Sequence, residues 1–413
     1  MRGNQEGNSA RKKALITGGA GYVGHRLGQK LAEEGQYQAV LFDIRPPAEQ
    51  VPGVQVVTGD VRDEDAVQAA CQGCDVVFHV ASFGMTGDEA LDRQRVHQVN
   101  VQGTQNVLRA CQAQGVGRLV YVSSYNAVFD GSHPIHGADE QSARVIDYTH
   151  TSCPYTATKA QAEQMVLAAD CTHVQDANAS PPRSEGCEIF EARLLRTCVI
   201  RPAGIYGPGE QRHTMRILRL KRLGIVRFTF GDPGSLVDFI HCDNLCQGMM
   251  KAAEGLSEEK RAVAGGQVYF MSDGSPVNNF KHWQGIVQGA GYSWPTLRLP
   301  FLLVYYAGAL MELACLAARL AGIPLTPLLS RTEVVKCAVT HYFKIDKARK
   351  ELGYHPQSYD LTAIGAWYKE HGYGPAAESE QQRSRLHLLQ WLLLCFVVMS
   401  VAVAVATFGL PVA

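Results

Sequence analysis

The sequence predicts an α/β fold in which parallel strands form one doubly wound sheet with helices on both faces. Three observations carry this. Short apolar runs alternate with helical patterns through the first half of the chain. The first run, Ala14-Leu15-Ile16, leads into Gly18, Gly21 and Gly24. The second, Ala39-Val40-Leu41-Phe42, ends in Asp43, about 20 residues beyond that turn.

Each element follows in order. After the glycines, Val23, Leu27 and Leu31 recur four apart and predict a helix. A third apolar run covers residues 54–57 and leads into Gly59-Asp60, a fourth covers 76–81, and a fifth covers 118–122. Helical patterns at 63–70 and 106–113 separate them. The glycine spacing has a physical use. The first glycine permits a tight turn, the second lets backbone approach a pyrophosphate, and the third lets helix and strand pack closely. The helix that opens there presents free N–H groups and a positive dipole end to phosphate. Asp43 stands where a carboxylate binds a ribose 2′-OH and repels a 2′-phosphate, which predicts NAD over NADP. Arg45 is the counter-argument, because a nearby arginine accommodates that phosphate.

The chain has 413 residues, enough for two or three domains, and a formal net charge of zero, so no basic surface argues for nucleic acid. Its 12 cysteines show no framework of paired spacings. Cys71 and Cys74 form one Cys-x-x-Cys without a second pair, and read as buried or loop thiols rather than a redox or zinc site. Met1–Lys13 is polar, so the globular part is expected in the reducing cytosol. The far end differs. Residues 391–410 are 20 in a row without a charge, preceded by Arg383 and Arg385, which predicts a bilayer-spanning helix with the body on the cytosolic side. A second apolar stretch, 301–325, carries Glu312 and Arg319. It reads as a core helix or as a membrane-contacting segment, and the anchor tilts the reading toward the membrane.

Pro154-Tyr155-Thr156-Ala157-Thr158-Lys159 opens another helical pattern. Residues four apart share a helix face, so Tyr155 and Lys159 point into one cleft. An adjacent ammonium favours the phenolate, which makes Tyr155 a general acid/base for a hydroxyl proton. Ser123 and Ser124 end the fifth strand, where ligand crevices form. Ser124 is the preferred partner for a substrate oxygen. Asn100 is expected inside a helix, where it either holds a backbone group or acts at the site directly.

Four stretches now stand together: Thr17-Gly-Gly-Ala-Gly-Tyr-Val-Gly24, Gly59-Asp60, Tyr155-x-x-x-Lys159 and Arg201-Pro-Ala-Gly-Ile-Tyr-Gly-Pro-Gly209. With them the chain resembles the extended short-chain dehydrogenase/reductases. Val237-Asp-Phe-Ile-His-Cys-Asp-Asn244, Ser272-Asp-Gly-Ser-Pro-Val277 and Lys347-Ala-Arg-Lys-Glu-Leu-Gly-Tyr354 narrow this to the 3β-hydroxysteroid and sterol dehydrogenase branch, family 42E. The resemblance covers about residues 12–373 and implies a Rossmann-type sheet with a smaller interleaved substrate lobe. It implies Ser124, Tyr155 and Lys159 as catalytic residues. For NAD it implies Gly18, Gly21, Tyr22, Val23, Gly24, Asp43, Asp60 and Val61, with Ala81 and Pro202 on the nicotinamide side. Tyr155 and Lys159 would also touch the cofactor.

The implied layout is a polar tail (1–11), a Rossmann domain (12–204 and 235–272), a substrate lobe (205–234 and 273–370), a linker (371–387) and a transmembrane anchor (388–410). Residues 196–203 would be the sixth strand, and 236–240 would return to the sheet. Two departures are a long polar insertion near 175–191 and the bulky Tyr125, which would narrow the cleft. The expected activity is NAD-dependent oxidation or reduction of a lipophilic, steroid-like alcohol at a membrane, the endoplasmic reticulum being the expected one. Membrane lipid and substrate are the partners, and a homodimer is compatible with the reading. Two rivals are a superfamily epimerase or reductase with another substrate and a membrane-tethered NAD-binding protein without turnover. A soluble sugar-nucleotide would have no need of the anchor.

Overall fold

The fold is that of a computed structural model, which describes residues 11–85, 89, 92–149, 151, 153–174, 194–320 and 329–375. The expected anchor at 388–410, most of the linker and the insertion at 175–191 lie outside the described residues.

Strand β1 (Lys12–Thr17) is buried from Ala14 onward, as a central parallel strand covered on both faces must be. Its side chains alternate between two cores. Ala14 and Ile16 join one apolar cluster and Leu15 joins the other. The remaining strands of this sheet are β2 (Tyr37–Asp43), β3 (Gln55–Thr58), β4 (Val76–His79), β5 (Arg118–Val122), β6 (Leu194–Pro202) and β7 (Gln267–Met271). Their order is β3-β2-β1-β4-β5-β6-β7, all parallel, with a short antiparallel pairing of Thr172–His173 on β6. The chain winds outward from β1 through β3 and then crosses back to β4. The crevice at that reversal, beyond the carboxyl ends of β1 and β4, is where such sheets bind ligands.

Helices α1 (Tyr22–Glu34) and α6 (Cys242–Gly255) cover one face through Leu27, Leu31, Leu245 and Met249. Helices α2 (Glu64–Cys71), α3 (Gly103–Ala113) and α4 (Pro154–Ala168) cover the other through Val67, Val107 and Val166. Local chemistry sets their starts. The Asp63 side chain accepts from Ala66 N at the head of α2, and Pro154, which lacks an N–H, occupies the first turn of α4.

The lobe packs around α5 (Thr214–Arg222), α7 (Asn279–Gly289), α8 (Phe301–Leu320), α9 (Arg331–Ala338) and α10 (Leu361–Tyr368). Glycine lets α7 and α10 cross closely, since a Cβ at Gly365 would overlap the Ile286 carbonyl oxygen. Two details differ from the sequence reading. Residues 236–240 do not return to the main sheet. Phe239–His241 pairs instead with Gly204–Tyr206, and the last sheet strand is Gln267–Met271. Ile345, Ala348, Leu352 and Tyr354 belong to the core shared with α1 and α6, so this part of 273–370 packs on the sheet and not in the lobe.

Candidate active site

The turn after β1 is shaped by what cannot fit there. Gly18 has φ +71°, and a Cβ on it would stand 2.8 Å from Ala81 N. A Cβ on Gly24 would overlap the Gly18 carbonyl oxygen. The turn therefore lies flat between β4 and the start of α1. The first turn of α1 has no acidic residue, so its amides and dipole face an anion unopposed. Asp43 closes this end, its carboxylate accepting from Ala20 N at 3.0 Å.

A cavity of about 2230 Å³ runs from this turn into the lobe. Gly18, Gly21, Tyr22, Val23, Gly24, Asp43, Ala81, Ser124, Tyr155, Lys159 and Pro202 all line it. Asp60 and Val61 do not. Asp60 is held by Arg62 two residues on, at 2.6 Å, which also keeps its carboxyl below the usual range. Val61 is buried against Gly103. Arg45 lines the mouth beside Asp43. The flat glycine turn, the free helix terminus and the carboxylate at the end of β2 fit a dinucleotide.

Helix α4 carries Tyr155 and Lys159 on one stripe, and the next residue of that stripe, Glu163, is fully buried. Lys159 Nζ donates to the Val122 carbonyl at 2.7 Å and lies 4.8 Å from the centroid of the Tyr121 ring. Burial, then the charge of Arg212, pushes its pKa down to about 7. Burial raises the Tyr155 pKa above its ordinary value. Arg212 is the leading influence in the opposite direction, followed by the hydroxyls of Ser82 and Ser124. Arg212 comes from the loop before α5. That loop is fixed by Glu210, whose carboxylate accepts from the N–H groups of Arg212, His213 and Thr214.

Ser124 Oγ accepts from Asn126 N at 3.2 Å and Asn126 Nδ2 at 2.8 Å. With both lone pairs engaged, its hydrogen is free to be donated toward Tyr155 or a substrate oxygen. Ser123 turns the other way and donates to Glu163 Oε2 at 2.8 Å. Glu163 also forms a buried, two-pronged ion pair with Arg201, which stacks over Phe270. This triad forms the floor under the site. Asn100 takes the structural option. It exchanges two hydrogen bonds with the backbone of Phe83 and donates to Thr158 Oγ1 at 3.0 Å.

Behind the turn, Ala81 N donates to Thr17 Oγ1 at 3.3 Å, and Thr17 Oγ1 meets His79 Nδ1 at 2.7 Å. His79 Nε2 meets Thr104 Oγ1 at 2.9 Å, and Thr104 donates to the Asn100 carbonyl at 2.7 Å. Burial pushes the His79 pKa down to about 3. Cys71 and Cys74 are buried free thiols, and burial pushes Cys74 up to about 12, as fits packing rather than redox chemistry. No cluster able to hold a metal ion occurs among the described residues.

In the lobe the cavity is lined by apolar residues together with the charged Arg216, Glu312, Glu333 and Lys336. Tyr125 lines it, packed near Phe129, His341 and Phe343. Leu303, Val304, Ala307 and Met311 line it from one face of α8, while Leu313 and Leu316 on the same helix are 61% and 56% exposed. By length and composition this helix is apolar enough to cross a membrane.

The sequence reading missed Glu163, Arg212, Asn126 and Ser82. Glu163 was signalled by the four-residue step from Lys159. Asn126 lies two residues from Ser124, whose Oγ it holds, and that closeness was its signal; Arg212 and Ser82 had none, because they come from segments distant from Tyr155 in the chain.

Comparison with known proteins agrees with this geometry. The 3-beta hydroxysteroid dehydrogenase/isomerase family model matches residues 15–301. Short-chain dehydrogenase/reductase family 42E member 1 from Danio rerio is 44% identical over 414 residues, covering 100% of this chain and 99% of that protein. The 2-alkyl-3-oxoalkanoate reductase of Stenotrophomonas maltophilia is 34% identical and covers 84% of this chain and 95% of its own. The solved structure of a Thermus thermophilus UDP-glucose 4-epimerase complex with NAD shares the fold at 18% identity and TM-score 0.61, over 87% of this chain and 99% of that one. The chain belongs to the 3-beta hydroxysteroid dehydrogenase/isomerase family, within the extended short-chain dehydrogenase/reductases of type 42E.

Proposed function

We propose that the protein is an NAD-dependent oxidoreductase that acts on the CH–OH group, or the matching ketone, of a lipophilic, steroid-like molecule. The carrying observation is one continuous cavity with a dinucleotide-shaped turn at one end, apolar walls at the other and Tyr155 between them. The α1 terminus and Gly18–Gly24 turn would hold the pyrophosphate, and Asp43 the adenosine ribose. Bound there, the cofactor supplies hydride chemistry at the substrate carbon. The protein moves the proton. Tyr155 takes it from the substrate hydroxyl as the alcohol is oxidised and returns it in reduction. Ser124 donates its free hydrogen to the substrate oxygen and sets its distance from the phenol. Arg212 favours the phenolate. Lys159, whose Nζ is held by the Val122 carbonyl, would bind the cofactor's second ribose.

The protein is held at a membrane, in this reading that of the endoplasmic reticulum, with the body on the cytosolic side. The uncharged residues 391–410 and the outward leucines of α8 support this. Such a location suits a substrate dissolved in lipid.

Tyr155→Phe tests the mechanism. It removes the phenolic oxygen and keeps the ring, so NAD binding should persist while NADH formation with a 3β-hydroxysterol falls by about 10²–10⁴. Near-normal turnover would remove Tyr155 from the reaction.

A further inference from the structure

The cavity opens to the surface within the lobe as well as at the cofactor end. In the pairing of Phe228–Phe230 with Leu297–Leu299, Phe228 stands opposite Leu297 and Phe230 opposite Leu299, and all four line the cavity. Leu297 does so while 53% exposed, so the wall ends there in an opening. Side chains alternate along a strand, which turns Arg298 to the outer face. Gly224, Ile225, Val226 and Arg227, just after α5, line the cavity beside this strand pair. The rim of the opening carries charge of one sign. Residues 214–230 hold Arg216, Arg219, Lys221, Arg222 and Arg227 and no Asp or Glu, and residues 290–311 hold Arg298 and no other charge. Arg216 is paired with Glu333. Lys221 and Arg298 are held by backbone instead, Nζ on the Val226 carbonyl at 3.1 Å and Nε on the Gly231 carbonyl at 3.0 Å, which orients them and leaves their charge in place. Arg219 and Arg222 are exposed, and so is Leu223 beside them, at 43%. Among the described residues no carboxylate pairs with Arg219, Lys221, Arg222 or Arg298.

Exposed leucines and unopposed cations are each unfavourable in water, the first by hydration and the second by mutual repulsion. One kind of surface relieves both. Anionic headgroups take the cations, and the acyl boundary beneath them takes the leucines. An acidic protein or a nucleic acid would answer the charge and leave Leu223 and Leu297 wet. The helix that begins two residues after Leu299 adds exposed Leu313 and Leu316 to the apolar share. We propose that this rim docks on an anionic lipid surface and seats the lobe opening of the cavity against the bilayer. The lipophilic substrate then passes between acyl chains and cavity without crossing water, and the cofactor uses the other opening, beside Ile44 and Arg45. An anchor attaches a chain to a membrane. The basic rim decides which way the cavity faces once it is attached.

This rests on reading the protein as held at a membrane, so the test separates attachment from orientation. The full chain is incorporated into nanodiscs of phosphatidylcholine alone and into discs that also hold about 30% phosphatidylserine. Backbone hydrogen exchange is then followed by mass spectrometry. Residues 219–228 and 296–300 should exchange at least about threefold more slowly in the anionic discs than in the neutral ones. Strand β1 should exchange equally in both and serves as the control for fold. Arg219→Glu combined with Arg222→Glu should abolish the difference, and Arg219→Lys with Arg222→Lys should keep it. Both positions are exposed and unpaired, so neither pair of changes removes a structural bond. Equal exchange in the two discs, or a difference that survives the Glu pair, overturns the proposal and leaves the membrane reading standing. The same protection produced by polyglutamate in neutral discs would assign the rim to an acidic protein and overturn it too. A chain that enters neither kind of disc refutes the membrane reading, and the proposal with it.

Discussion

The two ends of the cavity are built from different materials. At the cofactor end the shape comes from the backbone: a flat glycine turn, helix amides and one carboxylate, all within residues 12–43. At the substrate end it comes from side chains on α5, α8 and α9 and from the loop before α5, segments far apart in the chain. A backbone-built site tolerates no added atoms, because backbone cannot step aside. A side-chain-built site tolerates exchange, because its neighbours can repack. The first arrangement suits an invariant ligand, and the second lets a substrate change without rebuilding the fold.

The largest expected effect comes from the part both ends share. Glu163→Ala would leave Arg201 buried without its partner and Ser123 without its acceptor. Urea unfolding should show a loss of about 3–5 kcal/mol, and a loss under 1 kcal/mol would mean the floor is not common to both ends.

Next is the seam between sheet and lobe. Asp238 is buried, accepts from Phe343 N at 2.7 Å and has its pKa pushed up to about 7 by burial. Its folded value lies above the unfolded one, so its contribution is complete below the unfolded value and is lost as pH rises toward and through 7. Asp238→Asn cannot ionise, and its stability relative to the unmodified protein should grow by roughly 3 kcal/mol between pH 5 and pH 8. A difference independent of pH would show that Asp238 is charged at the seam.

The contrast itself is probed by a pair of variants. Gly24→Ala adds one methyl against the Gly18 carbonyl and should weaken NAD binding about 10- to 100-fold. Leu303→Ala removes three carbons from the lobe wall and should raise substrate KM while leaving NAD affinity unchanged. If both variants damage cofactor binding equally, the ends are not separable. The smallest effect is cofactor choice. Asp43 predicts NAD over NADP by about tenfold, or about 1.4 kcal/mol, and equal affinities in titration would shift the decision to Arg45.

What could be read from the sequence follows the same division. The β1–α1 turn, Asp43 and the Tyr155–Lys159 pair were legible because their geometry is local: a turn, a strand end and one helix face. Glu163 continues that helix face, but an acid on a helix reads as a solvated one until Arg201 is brought against it. Asp60 and Val61 came with the family resemblance; in the structure Arg62 pairs with the Asp60 carboxylate, and neither residue lines the cavity. The return of 236–240 to the sheet came from the family's ordering, whereas Phe239–His241 pairs with Gly204–Tyr206, a partner more than 30 residues earlier. Arg212 and Lys336 reach the cavity from loops and helices whose positions only the packed lobe determines.

The bonds behind the glycine turn have a direction as well as a length. Thr104 spends its one hydrogen on Asn100, so it must receive the Nε2 hydrogen of His79. The bare Nδ1 of His79 must then receive the hydrogen of Thr17, and the Thr17 oxygen is left to receive that of Ala81. All four arrows point the same way, from the wall of the cofactor end toward α3. One added proton on His79 would turn the Thr17 arrow around and leave the Thr17 hydrogen without its acceptor. Because burial keeps that proton away until about pH 3, the direction of these four bonds stays fixed throughout the range in which a cell lives.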